Sequence, residues 1–315
     1  MRIAVYGTGG VGGYFGGRLA QAGEEVIFIA RGEHLKAIQT DGLRVDSIKG
    51  DFLVKPVQAA SDPRQVGVVE MVILAVKAWQ VPESAQAMLP MIGDVTSEET
   101  GVVYLGNGVD AVAQLSAVMG ERHVLGGRCN ISSFIAGLGH ISHVGIDPRV
   151  AFGELDGRLS PRVERLRQAF ERANVAVDVP KDITAAIWEK FVFIAAVSGV
   201  GAITRAPAGV FRSLPETRLM LEQAIDETVR VARAKKINLP EDIAASTMAF
   251  IDKMAPGVVA SLARDVVAGC PSELGAQNGA VRRMGLELGI PTPVHSFIYD
   301  SLLPQELKAR GEIQF

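Results

Sequence analysis

Two cysteines, Cys129 and Cys270, are all that 315 residues contain. They allow one disulfide at most and lack metal-ligand spacing, so a disulfide scaffold and a thiolate metal centre are excluded and a reducing, cytoplasmic setting is expected. Basic excess is also missing. Thirty-two Lys and Arg stand against 35 Asp and Glu, a net charge of −3 without a long basic run, which removes the electrostatic case for nucleic acid. The five histidines (34, 123, 140, 143, 295) are scattered; His140 and His143 flank Ile-Ser in an expected hairpin, and no metal is expected. Apolar runs fall short of the roughly 18 uncharged residues of a membrane helix, apart from the glycine-broken N-terminus. That stretch, MRIAVYGTGGVGGYFGG, has no leucine-rich segment of the kind a signal peptide carries. Neither nucleic acid nor membrane is therefore an expected partner.

What is present is a globular composition, 48% hydrophobic and 21% charged. The length exceeds the roughly 250–300 residues at which single cores stop growing, so two domains are expected. In the first half, β-branched runs (Ile3–Tyr6, Val26–Ala30, Met71–Val76, Val102–Leu105, His123–Gly126) alternate with stretches of helical spacing, notably Gly10–Ala22 and His34–Asp41. That alternation predicts a doubly wound, mostly parallel α/β sheet. Arg149–Leu155 and VAVDVP read as further strands, and Ser160–Ala173 as a helix with Ser160 as cap and Pro161 at its first position. After Pro180 the texture becomes helical: Ile183–Ala202, Thr217–Lys235, Glu241–Lys253, Glu273–Leu288 and Pro293–Ala309. The expected division is 1–180, α/β, and 181–315, all-helical.

The N-terminal segment carries Gly7-x-Gly9-x-x-Gly12 between a strand and a helix, the context that a dinucleotide fingerprint requires. Gly7 permits the turn, Gly9 lets backbone approach a pyrophosphate, and Gly12 lets helix pack on strand. The candidate cofactor loop is Gly7, Thr8, Gly9, Gly10, Val11 and Gly12. A plain glycine turn is the competing reading. The second strand ends in Arg31, where NAD enzymes usually carry an acid; an arginine there can pair with a 2′-phosphate, which predicts NADP(H). An exposed surface arginine is the alternative.

Lys77 follows the strand MVILAV, and Asn107 sits in a Gly-Asn-Gly turn after the next strand. Strand C-termini line the ligand crevice of open α/β sheets, so both are candidate cofactor contacts. Lys77 also reads as a surface lysine, and Asn107 as a turn residue tolerant of positive φ. Lys190 leads an uncharged run from Phe191 to Thr204. It reads either as a snorkelling lysine or as a partly desolvated amine aimed into a site. Ile194 and Ser198 share its helix face. Ser261 and Glu273 are further candidates, although a carboxylate in a first helical turn after Pro271 is favoured by the helix dipole alone.

Taken in order, the Gly7–Gly12 loop, Arg31, VKAWQ with Lys77, Asn107-Gly108, Gly126-Gly127, WEKF with Lys190, and SLARD…SE…NG with Ser261, Glu273 and Asn278 resemble the ketopantoate reductase (2-dehydropantoate 2-reductase) family over nearly the whole chain. The resemblance implies a Rossmann-type domain followed by a helical one, NADPH use and pantothenate-pathway chemistry. It implies that Lys190 is the general acid, that Glu273 binds and positions substrate, and that Ser261 contacts the substrate carboxylate. Ser198 is carried as a substrate-binding candidate.

Three positions depart from the family pattern: Ile194, Ser198 and Val258 stand where asparagines are usual. A more apolar pocket discriminates differently from one built to hydrogen-bond a hydroxyl. The expected reaction is reduction of a small 2-oxo acid, either ketopantoate or a different 2-oxo acid or related carbonyl. A β-hydroxyacid dehydrogenase is a second enzyme reading, opposed by the WEKF and SE contexts, and an NADP(H)-binding sensor is the non-enzymatic one. A homodimer is left open.

Overall fold

The computed structural model describes residues 1–93 and 100–315. By its contacts the chain divides into two units, Met1–Gly106 with Ala111–Ala186, and Asn107–Asp110 with Ile187–Phe315.

The first unit runs β1 (Arg2–Tyr6), α1 (Gly10–Gln21), β2 (Glu25–Ile29), α2 (Gly32–Asp41), β3 (Leu43–Ser47), β4 (Phe52–Val54), β5 (Gln58–Ala60), β6 (Met71–Leu74), α3 (Val81–Ala87), α4 (Leu89–Ile92), β7 (Gly101–Tyr104), α5 (Ala111–Met119), β8 (Val124–Asn130), β9 (Ser133–Gly137), β10 (His140–His143), β11 (Arg149–Glu154), α6 (Pro161–Arg172) and β12 (Ala176–Asp178). Eight strands form one sheet in the order β12-β11-β8-β7-β6-β1-β2-β5. Its pairings are parallel except β11 against β8. The run β5-β2-β1-β6-β7-β8 is the 3-2-1-4-5-6 order of a dinucleotide fold, with its topological switch between β1 and β6. Strand residues alternate between two cores. Ile3 and Val5 face one with Phe15, Phe28 and Phe170; Ala4 and Tyr6 face the other with Leu74, Leu115 and Met88.

A second, four-stranded sheet, β4-β3-β10-β9, was not foreseen from the sequence. His140–His143 is itself a strand, antiparallel to β9 and parallel to β3, so the expected hairpin spans Ser133 to His143. Helix α1 lies tightly against both sheets because glycine lines two of its faces. A Cβ on Gly16 would stand 2.7 Å from Val5 and Phe28 of the large sheet; one on Gly13 or Gly17 would stand 2.7 Å from Ile141 or 2.8 Å from Phe52 of the small one. Helix α6 starts as its sequence predicts, with Ser160 Oγ accepting from Val163 N–H at 3.3 Å and Pro161 opening the first turn.

The second unit is built on α7 (Ile183–Thr204), which enters it at Ile187, and on α8 (Ala208–Phe211), α9 (Pro215–Ala234), α10 (Ile243–Lys253), α11 (Ser261–Val267), α12 (Asn278–Leu288) and α13 (Pro293–Ala309). Helix α7, charged only at Glu189 and Lys190, is long and apolar enough to cross a membrane, yet 72% of its most apolar window is buried inside the protein, as for a core helix. Trp188 and Phe191 pack edge to face, 5.4 Å apart, on either side of Lys190 in sequence. Helix α12 starts at Asn278, five residues later than its sequence suggests. Both cysteines remain thiols: Cys129 is buried and donates to Leu105 O at 2.9 Å, and Cys270 is exposed.

Candidate functional site

The glycine loop folds as the fingerprint demands. Gly7 has φ +99°, and a Cβ there would lie 2.8 Å from Val76. A Cβ on Gly12 would lie 2.1 Å from Gly7 O, so only glycine lets α1 approach the end of β1 so closely. Gly10 abuts Ser133 O, whereas Gly9 has nothing within 4 Å of its Cβ position. The N-cap Gly9 brings no capping side chain, and the first intrahelical bond is Gly13 N–H to Gly9 O. The N–H groups of Gly10, Val11 and Gly12 precede that bond and are the donors a helix start offers to an anion. Thr8 is buried, and its hydroxyl donates to Ile29 O at 3.0 Å, so the side chain is committed to β2. Val11 is half-buried against the core.

Arg31 precedes α2 at the end of β2. Its side chain is 67% exposed and 4.0 Å from Glu83, a separation at which the pair stabilises little. It is therefore available to a ligand. Lys77 is half-buried at the end of the β6 segment, its N–H donating to Gln80 Oε1 at 3.2 Å. An open, uncapped helix start of this kind suits the pyrophosphate of a dinucleotide.

The second unit assembles a different set. Lys190 Nζ donates to Asn107 Oδ1 at 2.8 Å, and Asn107 Nδ2 donates to Glu273 Oε2 at 2.9 Å. The amide is thus oriented from both ends, oxygen to ammonium and NH2 to carboxylate. Gln277 Nε2 adds a longer contact of 3.4 Å to the same carboxylate oxygen. Glu273 is 4% exposed and Lys190 half-buried, where charge-assisted hydrogen bonds are stronger than in water. The sequence placed Glu273 in the first turn of a helix. It lies instead in irregular turns ahead of α12, so the helix-dipole explanation does not apply.

Ser198 is buried, and its Oγ has no partner among the described residues, as is true of Gln277 Oε1 and Asn278 Oδ1. Ser261 opens the short helix α11, half-buried. Both serines lie outside the hydrogen-bonded set of Lys190, Asn107 and Glu273. Of the three departures, Ile194 packs against the cluster of Trp188, Phe191 and Ala195, Ser198 is fully buried, and Val258 is 37% exposed, its carbonyl accepting from Ala208 N–H at 2.9 Å. Gln277 was missed in the sequence, although its spacing, four residues after Glu273, was there to be read. The bridging role of Asn107 is a tertiary fact that no local pattern encodes.

A doubly wound dinucleotide fold followed by a helical unit with a lysine–amide–carboxylate set defines an oxidoreductase of the NAD(P)-dependent kind. Comparison with known proteins makes this specific. The ketopantoate reductase PanE/ApbA family matches residues 3–157, and its C-terminal counterpart matches residues 182–306; the chain belongs to this family. It is 30% identical over 304 residues to YkpB of Bacillus subtilis (strain 168), described as an uncharacterized oxidoreductase, covering 96% of this chain and 98% of that one. A 2-dehydropantoate 2-reductase of Nostoc sp. is 26% identical, with 96% and 94% covered. Among solved structures, a PanE/ApbA family ketopantoate reductase from Ralstonia eutropha JMP134 superposes with a TM-score of 0.89 at 31% identity, covering 98% of this chain and 100% of that one. D-mandelate dehydrogenase shares the fold at 21% identity, with a TM-score of 0.87 and 98% and 100% covered.

Proposed function

We propose that the protein reduces a 2-oxo acid to the 2-hydroxy acid with NADPH, Lys190 acting as proton donor. The observation that carries this reading is the Lys190–Asn107–Glu273 set. An ammonium pinned by a neutral amide is a preorganised donor for an oxygen that gains negative charge. Lys190 hydrogen-bonds the ketone oxygen and gives it a proton as it becomes an alkoxide. Asn107 holds the Lys190 ammonium in place, and Glu273 orients the substrate. Ser261 is assigned to the substrate carboxylate.

The N–H groups of Gly10 to Gly12, with Lys77, would hold the pyrophosphate side of NADPH, and Arg31 its 2′-phosphate. When bound, the cofactor supplies the hydride. NADPH is preferred to NADH on this reading because Arg31 stands exposed where NAD enzymes usually place an acid. Ketopantoate is not the best substrate on this reading, because Ile194, Ser198 and Val258 replace hydrogen-bonding asparagines. D-mandelate dehydrogenase, a protein of the same fold, is described with NADH and anilino(oxo)acetate, so an aromatic 2-oxo acid and NADH both belong among the compounds tried. The reading implies a soluble cytoplasmic enzyme; whether it works as a homodimer is a separate proposal.

The test is a panel of 2-oxo acids, ketopantoate included, followed by NADPH absorbance. Turnover of at least one is expected, with ketopantoate not the preferred one. Turnover of none of them overturns 2-oxo acid reduction and favours the sensor reading, and ketopantoate leading by a wide margin overturns the altered pocket. Arg31→Ala should weaken NADPH binding about tenfold to a hundredfold and leave NADH unchanged. Equal losses for both cofactors reject the role given to Arg31.

A further inference from the structure

The segment that carries Glu273 has no regular structure of its own between Ser272 and Gln277, yet both its ends are fixed by one helix. At the near end, Ser272 is fully buried. Its N–H donates to both carboxylate oxygens of Glu306, at 3.1 and 3.0 Å, and its hydroxyl donates to Glu306 Oε2 at 2.5 Å. Arg310 closes this end by donating to Glu306 Oε1 at 2.8 Å and to Ser272 O at 3.2 Å. At the far end, Asn278 Nδ2 donates to Ala195 O of α7 at 3.1 Å and to His295 Nδ1 at 3.0 Å. An amide nitrogen only donates, so His295 Nδ1 is an acceptor and Nε2 carries the proton. That proton points at Ala224 O and Thr228 Oγ1 of α9, each 2.9 Å away. Glu306 and His295 both belong to α13, three turns apart. Helix α7, to which the Asn278 amide is tied, also carries Lys190.

We infer that α13 is a splint that sets where the Glu273 carboxylate stands, with Glu306 and His295 as its positioning residues. The inference rests on the reading of Glu273 as the group that orients substrate. Neither residue touches the Lys190–Asn107–Glu273 set in the hydrogen bonds described; each acts through the residue adjoining the segment. Glu306 is the sharper handle. A glutamine there is close to isosteric but turns an NH2 toward donors, which cannot replace the lost acceptor.

The experiment is a double-mutant cycle in the full chain, with the best 2-oxo acid of the panel and NADPH saturating. Glu306→Gln is expected to raise KM for the oxo acid about tenfold, with the Kd for NADPH within about twofold of wild type, and to have no further effect in a Glu273→Gln background. Simple loss of stability would instead add to the Glu273→Gln defect. An unchanged KM, or additive effects alongside a damaging Glu273→Gln, overturns the splint alone. Wild-type kcat/KM in Glu273→Gln overturns the reading of Glu273 and the splint with it. Should Glu306→Gln fail to fold, Ser272→Ala carries the same cycle, since it deletes one hydroxyl and keeps the Glu306–Arg310 pair. A severalfold rise in KM that vanishes without Glu273 supports the splint, and an unchanged KM overturns it.

Discussion

Lys190 keeps its ammonium 2.8 Å from the Asn107 amide oxygen, and the two readings of this lysine, proton donor or cover for apolar surface, predict different behaviour in its variants. Lys190→Ala leaves the Asn107 amide without its cation, while Glu273 keeps its bonds from Asn107 and Gln277, so the variant should fold and still bind NADPH. Its kcat should fall about a hundredfold to ten-thousandfold, the range for a positioned proton donor. Lys190→Arg should be nearly as damaged, because guanidinium does not give up its proton and its planar fork needs other space. Near wild-type kcat in both variants would return the lysine to the snorkelling reading. Lys190 could be singled out from the chain because a charge beside a long uncharged run is a local signal, whereas Glu273 gained its role only through the family resemblance, the helix dipole explaining a carboxylate there as well. Glu306 could not be singled out, since a polar residue within a helical pattern acquires meaning only from what folds against it.

Helix α1 shows how far an element can be read from spacing. Gly9 and Gly12 occur in one motif but face different constraints. A side chain on Gly9 meets open space, and one on Gly12 meets the Gly7 carbonyl at 2.1 Å. Gly9→Val should therefore fold normally and lose NADPH binding. Gly12→Ala should destabilise by about 1–3 kcal/mol or more, as overpacking does, read as a lower urea midpoint. Tight NADPH binding by Gly9→Val would make the loop a mere turn. The inner strands β1, β2, β6 and β7 of the doubly wound sheet were legible because they are buried on both sides and so nearly all apolar, whereas its edge strand β5, three residues long and only partly buried, was not. Those of the small sheet were not: they run three to five residues and mix Asp46, Ser47, His140 and His143 with apolar neighbours. Helix α12 was drawn too long because Pro271 and Glu273 offer helix-start chemistry, while the Ser272 N–H and hydroxyl are taken by Glu306.

At the scale of the whole molecule, the change of texture after Pro180 announces a second unit, but not the excursion by which Asn107–Asp110 joins it. That excursion is four residues long and leaves no periodicity to detect. The helical unit also carries a pH signature. Burial pushes His295 from 6.5 down to about 4, so between those values the unfolded chain binds the proton and the folded protein does not. Stability from this group is complete above about pH 6.5 and is lost as pH falls toward 4, on the order of 3 kcal/mol in all. Glu227, which accepts the His295 N–H at 3.0 Å, works the other way, because burial raises its pKa. The urea midpoint should fall as pH drops from 6.5 toward 4, and His295→Gln should flatten that fall. An unaltered slope in the variant would assign the acid sensitivity elsewhere. Thiol chemistry, finally, is asymmetric in a useful way. With Cys129 buried and Cys270 exposed, a maleimide dye added to the native protein has one accessible attachment point, three residues from Glu273, and so comes with a built-in address for watching that turn respond as substrate arrives.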